Sequence, residues 1–444
     1  MSKDNTPYCL VLAGGGAKGV YHIGAWKALQ EIGIKVNAFV GNSIGAIIAG
    51  FLAQGETKKL EEIGNQIGLD FILNMPEEFI EDGEFKLTSS KQLAGFKKFY
   101  QSTRVKKGFD TGPLQKLLKS NLDEEKIRKA GNDLGVVTYN LSDMKPREIF
   151  IEDMERGHLL DYLLASSAFP GFEQPEIAGK KYIDGGVYDN IPYTMAQKRG
   201  YKRIIVIDIS GLGIKRKLDI QGRQIVYIKN SINMGGVLDF SKEFLSNFKK
   251  LGYLDTLRTF DRLKGHNYFL VPHARLEKKF NDFLTHQENQ TKLQSYVAEF
   301  FGKPELSLSL ALKTIFPNYI RFEKNRLAVF VDCAATILSI ERIQKWGYKK
   351  LFEEIDSRYQ AVTEKVEKVS EKGVKYIESF IKERIKEKKL AEEPYYYFLL
   401  IDRFMPERAQ KILKKGLFAI FPELAAGHFF ISEFDYNKSL SIAT

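Results

Sequence analysis

Residues 41–45 read Gly-Asn-Ser-Ile-Gly, between an apolar run at 36–40 (Val-Asn-Ala-Phe-Val) and a helical run at 44–53. Strand, G-x-S-x-G, helix is the context of a nucleophile elbow. The sharp turn forces Ser43 into a strained backbone conformation with its side chain projecting. Gly41 and Gly45 remove the Cβ atoms that would clash there. The helix that follows points free N–H groups and partial positive charge at the serine oxygen. The competing reading, an ordinary small-residue turn from strand to helix, needs a second signal to be set aside.

That signal precedes the elbow. Residues 14–19 read Gly-Gly-Gly-Ala-Lys-Gly, directly after the apolar run at 8–13 and before a helical pattern carrying Ile23, Trp26, Ala28 and Leu29. Successive glycines let backbone N–H groups converge on one point, an anion-binding nest at a helix start. In a hydrolase the nest of Gly14, Gly15 and Gly16 would be an oxyanion hole, with Lys18 adding positive charge. Gly14-x-Gly16-x-x-Gly19 also satisfies a dinucleotide-binding fingerprint. That reading requires a carboxylate about 20 residues on, at the end of the next strand. No Asp or Glu lies between Gly33 and Gly45. A P-loop fails because Gly19 is followed by Val20 rather than by Lys-Ser or Lys-Thr.

A third motif, Tyr-Ile-Asp-Gly-Gly at 182–186, places Asp184 at the end of a short apolar run with glycines after it. By itself it reads equally as an Asp-Gly turn. In this order the three motifs resemble the patatin-like phospholipase family, in its bacterial type. The resemblance is most specific over 8–50 and 160–209, including the loop Ala-Ser-Ser-Ala-Phe-Pro at 165–170. It is looser over 54–135 and fades after about 275. It implies Ser43 as nucleophile, Asp184 as base, and Gly14, Gly15, Gly16 and Lys18 around the oxyanion. It implies no metal or cofactor. Of the six histidines, His22, one turn after Lys18, is the alternative base. An Asp base is intrinsically weak, with an ordinary pKa of about 3.9. Burial raises it, and a direct bond to the serine shortens the proton path.

The 444 residues suffice for two domains, expected at 1–275 (α/β, hydrolytic) and 276–444 (mainly helical, without a legible role). Apolar runs at 136–139, 148–151, 203–209, 224–228 and 268–271 read as strands alternating with helices. The expected fold is therefore an α/β three-layer sandwich, with a mainly parallel central sheet and the motifs at the carboxyl ends of its strands. Residues 361–390 read as an amphipathic helix carrying Val362, Val366, Val369, Ile377, Phe380 and Ile381, which packs on the catalytic domain or on another helix; self-association into homo-oligomers or a regulatory role is the alternative. Residues 395–400 (Tyr-Tyr-Tyr-Phe-Leu-Leu) read as core.

Two cysteines, Cys9 and Cys333, are too few for a disulfide scaffold and point to a reducing compartment. The first residues carry no apolar secretion signal, and the apolar stretch at 327–340 is too short to span a bilayer and contains Asp332. The expectation is a cytoplasmic protein that docks on membranes from the side. Net charge is +11, and between Lys86 and Lys119 nine Lys/Arg face a single acid, Asp110, with Phe85, Phe96, Phe99, Tyr100 and Phe109 interleaved. This segment suits an anionic phospholipid surface; a solvated helical face is the plain alternative. No nucleic-acid motif accompanies it. The sequence thus points to a serine lipid acyl hydrolase acting on fatty-acyl esters of membrane phospholipids. A soluble esterase or thioesterase with the same dyad, and a non-catalytic scaffold retaining the fold, are the alternatives.

Overall fold

The computed structural model describes residues 6–81, 108–216, 224–301, 326–387 and 389–441, with Glu84, Phe85, Gln92, Ala94, Gly95, Lys97, Gln101 and Gly222. Most of the basic segment from Lys86 lies outside the described residues; its C-terminal part, with Lys116 and Lys119, is helical. The chain divides into two compact units, Met1–Phe260 and Asp261–Thr444.

In the first unit, β1 (Tyr8–Leu12) leads through the Gly-rich turn to α1 (Val20–Glu31), and β2 (Val36–Asn42) leads through Ser43 to α2 (Ile44–Gln54). After α3 (Thr57–Gln66), α4 (Gly112–Asn121) and α5 (Glu124–Ala130) come β3 (Asp133–Asn140), β4 (Lys145–Phe150) and α6 (Leu159–Ser166). Then follow β5 (Glu176–Ile177), β6 (Lys180–Asp184), α7 (Tyr193–Lys198), β7 (Arg203–Asp208), β8 (Gln224–Lys229) and α8 (Lys242–Thr259). The eight strands form one sheet in the order β8-β7-β1-β2-β3-β6-β5, with β4 paired to β3. The pairs β8–β7, β7–β1, β1–β2 and β2–β3 are parallel. β1 is buried along its whole length, as a central parallel strand covered on both faces must be. On one face α1 lies against α8 closely enough that a Cβ on Gly24 would stand 1.8 Å from the Lys249 carbonyl oxygen.

β6 departs from the expected arrangement. It runs antiparallel to β3, with Asp184 opposite Thr138. One side of β3 is occupied by β4 over Gly135 to Asn140. The other side carries β2 as far as Asn42 opposite Val137, and then β6 from Asp184 opposite Thr138. The two strands therefore meet end on along one edge of β3. Asp184 arrives where the chain leaves β2 for Ser43, not at the carboxyl end of a parallel strand.

The second unit is helical around its own aromatic-rich core, which includes Phe280, Phe330, Phe352, Phe429 and Phe430. Asp332, fully buried on helix Arg326–Ile337, accepts the backbone N–H groups of Asn267 (2.9 Å) and Tyr268 (3.0 Å). This anchors the short strand Phe269–Leu270, which pairs with Lys345–Trp346 instead of joining the large sheet, so the composition shift near 275 falls inside the unit. The amphipathic stretch at 361–390 is two helices, Tyr348–Ser370 and Val374–Lys386, broken at Gly373, whose φ of 83° only glycine adopts readily. Their apolar positions Val366, Ile377 and Ile381 are buried in the core, and Val362, Val369 and Phe380 pack against it. Helix Pro394–Phe404 buries all six residues from Tyr395 to Leu400, as expected. Among the described residues no helix is long and apolar enough to cross a membrane.

Candidate active site

Ser43 has φ 55° and ψ −129°, a conformation few residues with a Cβ adopt. The glycines beside it allow this through close approach. A Cβ on Gly41 would lie 2.4 Å from the Gly45 backbone, and one on Gly45 would lie 2.3 Å from the Leu12 carbonyl oxygen. β1, β2 and the start of α2 thus converge without intervening side chains. The Ser43 N–H donates to Ser166 Oγ (2.9 Å), tying the elbow to the end of α6.

Asp184 is buried beside it. Its Oδ1 accepts the Gly186 N–H (2.7 Å) and Asn42 Nδ2 (3.1 Å), and Asp184 lines the same cavity as Ser43. Burial pushes its pKa up from the ordinary carboxylate value, against the lowering effect of the Gly186, Ser43 and Asn42 donors. Asn42 Nδ2 also donates to Asn190 Oδ1 (3.1 Å), and Asn190 Nδ2 donates to the Gly14 carbonyl (3.2 Å). The Gly14 N–H in turn donates to the Asn190 carbonyl (3.2 Å). Two asparagines therefore join the elbow, the Asp184 strand end and the Gly-rich turn.

Within that turn, Gly14 is engaged at both its N–H and its carbonyl, while the Ala17 N–H donates to Val237 (2.8 Å). Among the described residues the Gly15 and Gly16 N–H groups have no protein acceptor, and both glycines line the cavity next to Ser43. Lys18 does not line it. Its ammonium stands 6.0 Å from the Phe248 ring centroid, and burial, then the nearby Lys215 charge, lowers its pKa while Asp208 raises it. His22 is fully buried, with Nε2 donating to the Ala13 carbonyl (2.9 Å) and Nδ1 without a partner. Burial drives its pKa down to about 4. It is a neutral clamp on the end of β1.

The cavity measures about 370 Å³. Ser43, Asp184, Asn190 and the two glycines lie at its polar end. Its walls are apolar side chains of α1 to α4, among them Ile23, Ile47, Phe51, Leu60 and Leu114. At its mouth Phe169, Val187, Leu212, Ile214 and Leu238 stay exposed, Leu212 at 63% and Ile214 at 54%. The segment carrying Leu212 and Ile214 is held by two backbone bonds, Asn190 N–H to the Ile214 carbonyl (2.7 Å) and Ile214 N–H to the Gly186 carbonyl (3.0 Å). At its end Lys215 Nζ pairs with Asp208 (2.8 Å), and Arg216 lies 3.5 Å from Asp189.

The structure thus brings together Ser43, Asp184, Gly15 and Gly16, with Gly14 one step behind them and Lys18 turned aside. Asn42 and Asn190 had no assigned role in the sequence, although both stand inside or just after a motif. Ser166, in the 165–170 segment read as a loop, is the last residue of α6 and carries no role in the motifs.

This arrangement of elbow, Gly-rich turn and buried aspartate defines a class of protein, and residues 10–196 match the family model described as Patatin-like phospholipase. That match spans less than half of the chain. It is similar to Lysophospholipase NTE1 of Cryptococcus neoformans, 26% identical over 204 residues, which are 46% of this chain and 11% of that protein. It is also similar to Probable lipid hydrolase 463L of Invertebrate iridescent virus 6, 29% identical over 199 residues, covering 44% of this chain and 64% of the viral protein. Among solved structures, VipD from Legionella pneumophila matches at 18% identity and a TM-score of 0.33, covering 97% of this chain and 92% of that one. Similar curated proteins come from fungi, a nematode and a virus, and they give no support to the bacterial subtype expected from the motifs.

Proposed function

We propose that the protein is a serine lipid acyl hydrolase of the phospholipase A type, a carboxylic ester hydrolase working through Ser43 and Asp184. The observation that carries this reading is the Ser43–Asp184 pair at the polar end of an apolar cavity. Asp184 takes the hydroxyl proton as Ser43 Oγ attacks the ester carbonyl, breaking its π bond. The N–H groups of Gly15 and Gly16 receive the charge on the carbonyl oxygen, the arrangement an oxyanion hole requires. The carbonyl re-forms, the alcohol leaves with the proton from Asp184, and an acyl-enzyme remains. Water then loses a proton to Asp184, attacks the acyl carbon and releases the fatty acid as Ser43 regains its proton.

A histidine base is disfavoured because among the described residues no histidine lines the cavity with Ser43, and His22 is fully buried outside it. The apolar walls suit an acyl chain, and the exposed apolar mouth suits substrate presented at a lipid surface. The protein would then work peripherally on a membrane. The names of the relatives, a lysophospholipase and a probable lipid hydrolase, support the substrate class.

The test is a fluorophosphonate probe together with fatty-acid release from mixed anionic phospholipid vesicles, on wild type and Ser43→Ala. Labelling and release by wild type alone are expected. Labelling without release from vesicles, but with cleavage of short soluble esters, would favour the esterase reading. Labelling of neither protein would leave a non-catalytic scaffold.

A further inference from the structure

We propose that Asn42 is a positioning residue for Asp184, an inference that rests on the Ser43–Asp184 reading above. Its two Nδ2 hydrogens are spent on two acceptors, Asp184 Oδ1 and Asn190 Oδ1, each at 3.1 Å. The orientation of both amides is forced. A carboxylate can only accept, and Asn190 must present Oδ1 to Asn42 because its own Nδ2 is committed to the Gly14 carbonyl.

Asn42 is fully buried, and its own Oδ1 has no partner. A side chain kept only to fill space would not leave a buried acceptor unmade, since an apolar group of that size fills the volume without the desolvation cost. The amide is explained by its two donors. The motif glycines make room for it. A Cβ on Gly185 would lie 2.4 Å from Asn42 Oδ1, and one on Gly14 would lie 2.5 Å from Asn190 Oδ1 and 2.8 Å from Asn42 Nδ2. Part of the requirement for glycine in two separate motifs is therefore the space this pair of amides occupies.

The consequence for the chemistry is directional. Asn42 Nδ2 and the Gly186 N–H both bind Oδ1, so that oxygen is pinned and Oδ2 is left to take the Ser43 proton. Through Asn190 the same amide fixes the Gly-rich turn relative to the base, so the proton acceptor and the oxyanion donors are aligned by one side chain.

The experiment compares wild type, Asn42→Leu and Asn42→Thr, reading the rate of Ser43 labelling by a fluorophosphonate against pH, with thermal melting as the check on folding. A lost donor destabilises the carboxylate, so the pH below which labelling fails should rise by about one unit in Asn42→Leu. The plateau rate should fall about tenfold. Asn42→Thr keeps one hydroxyl donor and should lie between, and it carries the test if the leucine variant does not fold. A uniform loss at all pH values, with the acid limb unmoved, would reduce Asn42 to packing and overturn the proposal. Absence of labelling in wild type would instead overturn the acyl-hydrolase reading. Asn42 is then judged by the pH dependence of unfolding in wild type and the variants, where an unshifted Asp184 titration overturns it.

Discussion

Ser43 keeps a backbone conformation that costs about 1–3 kcal/mol, and the packing of β1, β2 and α2 around Gly41 and Gly45 holds it there. Asp184 is a second residue placed at a cost. Its folded pKa is raised by burial, so the folded state binds this proton more tightly than the unfolded chain does. Stability from this group is present below the unfolded value and is lost as pH rises through the folded one. Asp184→Asn removes that cost, and its amide oxygen can still accept from Gly186 and Asn42, since both bind the single oxygen Oδ1. The variant should therefore melt higher than wild type at pH 7, with the gain vanishing below pH 3.8, while turnover falls by about 10²–10⁴. Retained activity would return the base role to another group. His22 works in the opposite direction. Its folded pKa of about 4 lies below the ordinary 6.5, so below pH 6.5 the unfolded chain binds a proton that the folded one refuses. Stability should fall by about 3 kcal/mol between pH 6.5 and pH 4 from this residue. His22→Gln, which keeps a donor for the Ala13 carbonyl, should flatten that slope in denaturant titrations at several pH values.

Among the elements, the edge of β3 decides the site. β2 and β6 share it end on, which sets the serine turn beside the carboxylate without a long loop to search for the contact. The segment after β7 is the other element with functional weight. Its backbone bonds to Asn190 and Gly186 hold Leu212 and Ile214 exposed at the cavity mouth. Burial of such side chains in a lipid surface contributes about 1–2 kcal/mol each, so Leu212→Ser with Ile214→Ser should weaken vesicle partition at least about tenfold. The measurement is sedimentation with vesicles in a Ser43→Ala background, which separates binding from turnover. Equal partition of both proteins would make the rim an ordinary surface. The basic residues before α4 can be compared in the same assay by charge reversal.

At the scale of the molecule, two compact units each carry their own core: one around the mixed sheet, the other around the aromatic helices of 261–444. The elbow, Asp184, the cavity and its mouth all lie within the first unit. A fragment of residues 1–260 should therefore unfold cooperatively and take the fluorophosphonate label at Ser43. An unfolded fragment would show that the first unit depends on the rest of the chain.

The amino-acid sequence by itself determined the elbow, the Gly-rich turn, the aspartate, the mainly parallel α/β class and the helical C-terminal part. Each is written in local signals, glycine where the backbone must approach closely, apolar runs where strands are buried on both faces, and helical periodicity. It left undecided the direction of β6, the break at Gly373, the turning aside of Lys18 and the engagement of Gly14. It also left the asparagine bridge invisible, because Asn42, Asp184 and Asn190 are more than 140 residues apart across their longest link and make their bonds only when the sheet closes. Such hydrogen bonds depend on register between distant strands, and register is a property of the packed sheet, not of any one segment.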